Sequence, residues 1–182
     1  GKLEDGSINI HQGKHYTLGN SDCDIPLNID LSFNTHTAGG MVRVNDGKLT
    51  FKITGVDKNT LELIANDSGE ILSGKGVNFP GVQLDLPTLT DKDKSDLRLA
   101  VSLDVDWIAM SFVRSADDYS LIRDELKNLE TSRPIIAKIE KPEAINNLSG
   151  IINSFDGVLV ARGDLGVEMP IKELPILQKK IV

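Results

Sequence analysis

Ile135-Ile136-Ala137-Lys138-Ile139-Glu140 decides the fold, together with its echo Val158-Leu159-Val160-Ala161-Arg162-Gly163-Asp164. Each is a short apolar run that ends abruptly in charge. A continuous apolar run of this length suits a strand buried on both faces, as in parallel sheets. Parallel α/β architectures place their ligands at the carboxyl ends of the strands, where Lys138, Glu140 and Asp164 fall. On a strand, Lys138 and Glu140 share a face while Ile139 points the other way. Mg²⁺ usually takes one or two protein carboxylates and fills its other positions with water and substrate oxygens. Glu140 and Asp164 on neighbouring strands meet that requirement. Lys138 beside them would stabilise negative charge on a transferred phosphoryl group or an enolate. The plainer reading is a Lys–Glu pair at a strand end, with Asp164 capping a helix. Spacing alone leaves both open.

Outward from this stretch the pattern repeats. Thr90 with Asp93 three residues on predicts a capping box, and Leu97, Ala100 and Val101 follow as a helical stripe. Val105–Val113 reads as an apolar, strand-like run with Trp107 in the core. Ser115 and Asp118 form a second cap-like pair before Tyr119, Ile122, Leu126 and Leu129 at helical spacing. After Glu140, Pro142 sits where a helix can begin, and Ile145, Leu148 and Ile152 continue a stripe. Leu174, Leu177 and Ile181 mark a last helix. Three βα units in series predict a parallel sheet with right-handed crossovers. Three strands alone leave two raw edges, and the chain begins without Met and stops inside an expected helix, so a fragment of a longer protein is expected.

Residues 1–87 differ in kind. Alternating stretches at Ser7–His11, His15–Leu18, Ile25–Ile29, Met41–Val44, Leu49–Ile53 and Leu61–Ile64 are separated by turn chemistry. Asp46-Gly47 is the clearest hairpin signal, since both residues tolerate positive φ. Short strands at this spacing predict a small barrel or sandwich. The expected architecture is therefore a small all-β barrel or sandwich over residues 1–87, followed by a partial α/β barrel of about three βα units over residues 88–182.

Composition narrows the function classes. Of 182 residues, 40% are hydrophobic and only 4% aromatic, so the core must be mostly Ile, Leu and Val. A net charge of −7 offers no basic stripe for nucleic acid. Cys23 is alone, so no disulfide framework exists, which fits a reducing compartment. No apolar run reaches the roughly 18–20 residues of a membrane span. His11, His15 and His36 lack metal-ligand spacing and read as surface residues. Gly74-Lys75-Gly76 lacks the spacing of a phosphate loop and reads as an exposed turn or hinge. Arg162-Gly163-Asp164 as an integrin ligand is disfavoured because it abuts a buried strand. Gly163 and Gly166 let backbone amides approach an anion, or simply make a sharp turn.

Taken together, Ile136-Ala137-Lys138-Ile139-Glu140 and Asp156 through Pro170, with Val160-Ala161-Arg162-Gly163-Asp164-Leu165-Gly166 at its centre, closely resemble the active-site signature of the pyruvate kinase family. Gly74-Lys75-Gly76-Val77-Asn78-Phe79-Pro80-Gly81 is similar to the segment leaving that family's lid domain. Leu86-Pro87, Thr90-Asp91-Lys92-Asp93, Ser111-Phe112-Val113-Arg114 and the Asn45-Asp46-Gly47 hairpin fit as well. The likeness is diffuse over residues 1–73 and tight over 74–182.

The resemblance implies a TIM barrel with a β-barrel lid inserted after its third strand, this chain supplying the lid and strands four to six. It implies phosphoryl transfer from phosphoenolpyruvate to ADP, giving pyruvate and ATP, in a cytoplasmic glycolytic homotetramer. By position, Lys138 would stabilise the phosphoryl group, Glu140 and Asp164 would hold Mg²⁺ or Mn²⁺, and the Gly163 and Asp164 amides would meet the substrate carboxylate. Ser111 and Phe112 would line the cleft floor, and Asp46 and Lys75 would lie on the nucleotide side of the lid. The K⁺ ligands of the family lie outside this chain. A magnesium-dependent carbon–carbon lyase acting on pyruvate or oxaloacetate is the alternative, suggested by the Pro142-Glu143-Ala144 helix start.

Overall fold

The structure, a computed structural model, describes residues 1–20, 22–29, 31, 33, 38–82 and 87–182. The chain divides into two compact units, Gly1–Leu86 and Pro87–Val182. His36 and the Leu84-Asp85-Leu86 stretch lie outside the described residues.

The first unit is all β among its described residues. Its strands are β1 (Ser7–Ile10), β2 (His15–Gly19), β3 (Ile25–Pro26), β4 (Met41–Val44), β5 (Leu49–Asp57), β6 (Thr60–Ala65), β7 (Gly69–Leu72) and β8 (Val77–Asn78). Six of them form one sheet in the order β3-β2-β6-β5-β4-β8, and β1 pairs antiparallel with β7. Alternation explains the core: Leu49, Phe51 and Ile53 of β5 and Leu61, Leu63 and Ala65 of β6 are buried with Val42 and Val44. The strand expected at Ile25–Ile29 shortens to two residues, and β5 runs on past Ile53. A bulge between Ile53 and Gly55 lets β5 continue without turning its apolar face outward.

The second unit alternates helices and strands: α1 (Asp91–Ser102), β9 (Ile108–Met110), α2 (Asp117–Asn128), β10 (Ile135–Ile139), α3 (Pro142–Asn146), α4 (Leu148–Ser154), β11 (Gly157–Val160), α5 (Arg162–Glu168) and α6 (Leu174–Ile181). The sheet is parallel, in the order β11-β10-β9. Thr90 and Asp93 close the expected capping box. Ile135, Ala137 and Ile139 are fully buried in one core with Ile122, Leu126 and Ile151. At the amino end of the sheet, Asp156 accepts the Ile135 N–H (2.8 Å) and pairs with Arg123 (3.0 Å), pinning the start of β10.

Three expectations need correction. The strand-like run 105–113 yields a strand only at Ile108–Met110, and Trp107 is 52% exposed rather than core. Register explains the exposure: Ala109 stands opposite Ile136, and Leu159 opposite Lys138, so Trp107 shares with them the sheet face turned away from the helices. The stripe after Pro142 breaks at Asn147 between α3 and α4, which puts Ile151 in the core and leaves Ile152 43% exposed. Helix α2 begins at Asp117; Ser115 Oγ accepts the Asp117 N–H, and Asp118 accepts the Ser115 N–H.

Candidate active site

The carboxyl end of β10 gathers the charged residues. With Ile135, Ala137 and Ile139 committed to the helical side, alternation turns Lys138 and Glu140 to the other. Lys138 Nζ forms an ion pair with Glu140 Oε1 and donates to Ser111 Oγ at 3.0 Å. Glu140 Oε2 accepts the Phe112 N–H at 2.9 Å. Glu140 is only 1% exposed. A buried carboxylate is costly unless it is paired and hydrogen-bonded, and both of its oxygens have a partner here.

The Phe112 amide reaches Glu140 because the backbone there is left-handed, with φ of 57°. That conformation costs a non-glycine residue about 1–2 kcal/mol and persists only where its surroundings hold it. They do: buried Asp118 accepts the N–H groups of Arg114 (2.7 Å) and Ser115 (3.1 Å). Thr88 Oγ1 donates to the second Asp118 oxygen at 2.9 Å. Arg114 donates to Thr88 Oγ1 at 2.7 Å, and Asn147 Nδ2 donates to the Arg114 carbonyl.

Asp164 lies one strand over. The ladder pairs Ile139 with Val160, and the Ala161 N–H donates to the Ile139 carbonyl at 3.2 Å. Helix α5 then starts at once, so Gly163 and Asp164 occupy its first turn, with Asp164 exposed. Of the two readings of these glycines, a turn that needs positive φ is not the one seen, since neither Gly163 nor Gly166 has a positive φ. A Cβ at Gly166 would lie 3.4 Å from the Leu174 side chain, a contact that side chain can accommodate, whereas a Cβ on Gly163 would enter open space. Further along α5, Glu168 forms an ion pair with Lys141 at 2.6 Å, its side chain only 3% exposed. Lys141 Nζ also lies 5.9 Å from the centre of the Phe112 ring. Removing one partner of such a buried pair costs about 3–5 kcal/mol.

No cluster of three or more His, Cys, Asp or Glu side chains suited to a metal occurs among the described residues. A hard cation such as Mg²⁺ needs only one or two protein carboxylates. The exposed Asp164 carboxylate and the Glu140 carboxylate, whose two oxygens keep further lone pairs, fit that donor set. In the first unit, the Asn45–Lys48 hairpin and the Gly74–Gly76 turn lie at one end of the sheet. The Asn45 N–H donates to the Gly76 carbonyl at 3.2 Å, and Val44 pairs with Val77. Asp46 and Lys75 therefore share that end, both exposed, with positive φ at Asn45, Asp46, Gly47 and Gly74. Lys75 also lines a cavity of about 630 Å³ with Asn28, Leu31 and Phe79. His11 and His15 are exposed.

Residues 4–182 match the family model described as the pyruvate kinase barrel domain. The chain belongs to the pyruvate kinase family. It is 40% identical, over 97% of its own length, to pyruvate kinase 2 of Synechocystis, covering 31% of that protein. It is 42% identical over 80% of its length to the Mycobacterium tuberculosis pyruvate kinase, covering 31% of it. Pyruvate kinase 1 of Saccharomyces cerevisiae is 44% identical over 80% of this chain, which covers 29% of the yeast protein. The chain thus spans under a third of the length of these relatives. The lyase alternative gains no support from them. No helix among the described residues is long and apolar enough to cross a membrane.

At this strand end, sequence reasoning singled out Lys138, Glu140, Asp164 and Ser111, but passed over Lys141, Glu168 and Asp118 as site-building residues. Asp118 carried a signal as half of a cap-like pair. Lys141 and Glu168 carried none, since their partnership spans two elements.

Proposed function

We propose that this chain forms the β-barrel lid (residues 1–87) and strands four to six of the catalytic barrel (residues 88–182) of a pyruvate kinase that transfers the phosphoryl group of phosphoenolpyruvate to ADP, yielding pyruvate and ATP. The observation that carries the reading is Lys138 on Glu140 at the end of β10, steadied by Ser111 Oγ and the Phe112 N–H. Fixed donors and charges aimed at a site, before any substrate arrives, are what phosphoryl transfer requires of a protein. Lys138, held by Ser111, presents its ammonium to the transferring group. Glu140 and Asp164 would hold Mg²⁺ or Mn²⁺, which when bound supplies charge stabilisation at phosphoryl and enolate oxygens. The first-turn amides of Gly163 and Asp164 have no intrahelical acceptor and would orient the substrate carboxylate. Asp46 and Lys75, at one end of the first unit, would face the nucleotide. A K⁺ requirement, a cytoplasmic setting and a homotetrameric assembly belong to the same reading.

The test is a coupled assay of the full-length protein with phosphoenolpyruvate, ADP, Mg²⁺ and K⁺. Stoichiometric pyruvate and ATP are expected, and neither from this chain alone. A full-length protein that forms no ATP sinks the proposal.

A further inference from the structure

Lys141 and Glu168 are an ion pair at 2.6 Å whose acidic side chain is 3% exposed, and neither has a part in the chemistry above. Their positions are informative. Lys141 directly follows Glu140, and Glu168 lies four residues after Asp164, on the same face of α5. Lys141 also sits over the Phe112 ring, whose residue gives its N–H to Glu140. One ammonium thus reaches both the helix that follows β11 and the loop that follows β9. Through Glu168 it fixes α5, and with it Asp164. Through the ring it braces the loop that steadies Glu140. A divalent cation shared by two carboxylates on separate elements depends on their spacing, and outer groups that orient ligands typically govern metal affinity by about 10–100-fold.

We infer that Lys141 is a positioning residue that sets the Asp164-bearing helix against Glu140 and so tunes divalent-cation affinity without touching the cation. The inference rests on the reading of Glu140 and Asp164 as metal ligands. It is tested by Mn²⁺ titration of the full-length protein, without substrate, following free Mn²⁺ by electron paramagnetic resonance. E140Q tests the ligand reading itself and should lose Mn²⁺ binding. K141M and E168Q should each weaken Mn²⁺ binding by about 10–100-fold, the double variant by no more than either alone, and K141R should stay within about threefold. In turnover, K141M should raise the Mg²⁺ concentration needed for half-maximal rate far more than it lowers kcat at saturating Mg²⁺. If K141M does not fold, E168Q, which keeps the side-chain shape, carries the same comparison. E140Q without effect overturns the ligand reading and the inference with it. Loss of Mn²⁺ in E140Q, with unchanged affinity and only a lowered Tm in K141M and E168Q, overturns the inference alone. Effects of the two variants that multiply also overturn it.

Discussion

At the end of β4 the chain turns on its backbone: Asn45, Asp46 and Gly47 all take positive φ, and exposed side chains are left over for whatever approaches. At the end of β10 the chain stops on side chains: Glu140 is buried, paired with Lys138 and hydrogen-bonded by a strained Phe112 amide. The first end needs residue types that tolerate left-handed φ and little else. The second needs partners drawn from five separate stretches: Thr88, Ser111–Asp118, Lys138–Lys141, Asn147 and Glu168. Two ends that both bear candidate site residues therefore fail in different ways. A turn built on φ tolerates side-chain change, whereas a site built on buried charge does not.

The sharpest break of this contrast is Lys138→Met. Turnover in the full-length protein should fall on the order of 10³-fold. Mn²⁺ binding should persist or tighten, because the ammonium that competes for Glu140 is gone. Unchanged turnover in a coupled assay removes Lys138 from its role.

Next in size are the two cores. Ile139→Ala and Phe51→Ala, both at fully buried positions, should cost about 2–5 and 3–5 kcal/mol respectively. Amide hydrogen exchange should show the first loosening β9–β11 and the second loosening β4–β6, each within its own unit. A loss of protection spread equally over both units would contradict their separate cores. A smaller effect is expected of Gly47→Ala, at φ of 80°, costing about 1 kcal/mol. Thermal unfolding would register that change, while the same substitution at Gly163, with ordinary φ and open space, should leave the fold's Tm within a degree or two.

What could be read from the sequence was local. The Thr90–Asp93 box, the Asp46-Gly47 hairpin and the β10 run each place their signal within a few residues. The Lys138–Glu140 pair was also legible, because strand alternation alone puts both side chains on one face. Trp107 was misread because hydrophobicity does not say which face of a sheet gets covered. Ile152 was misread because a single break at Asn147 shifts the helical phase by one position. Lys141–Glu168 was invisible because a pair that joins two elements leaves no periodic trace in either. The same holds for Phe112, whose left-handed φ is imposed by Asp118 and its neighbours against its own preference.

Trp107 is the chain's single tryptophan, and it stands on the sheet face opposite the helices, in line with Ala109 and beside Gly157. Position makes it an optical gauge of that face. While water reaches the indole, its emission is red-shifted and open to quenching by acrylamide. Anything that lays over Ala109, Ile136 and Leu159 shifts the emission to the blue and shields it, so docking against this sheet is reported by one built-in fluorophore, with no label added.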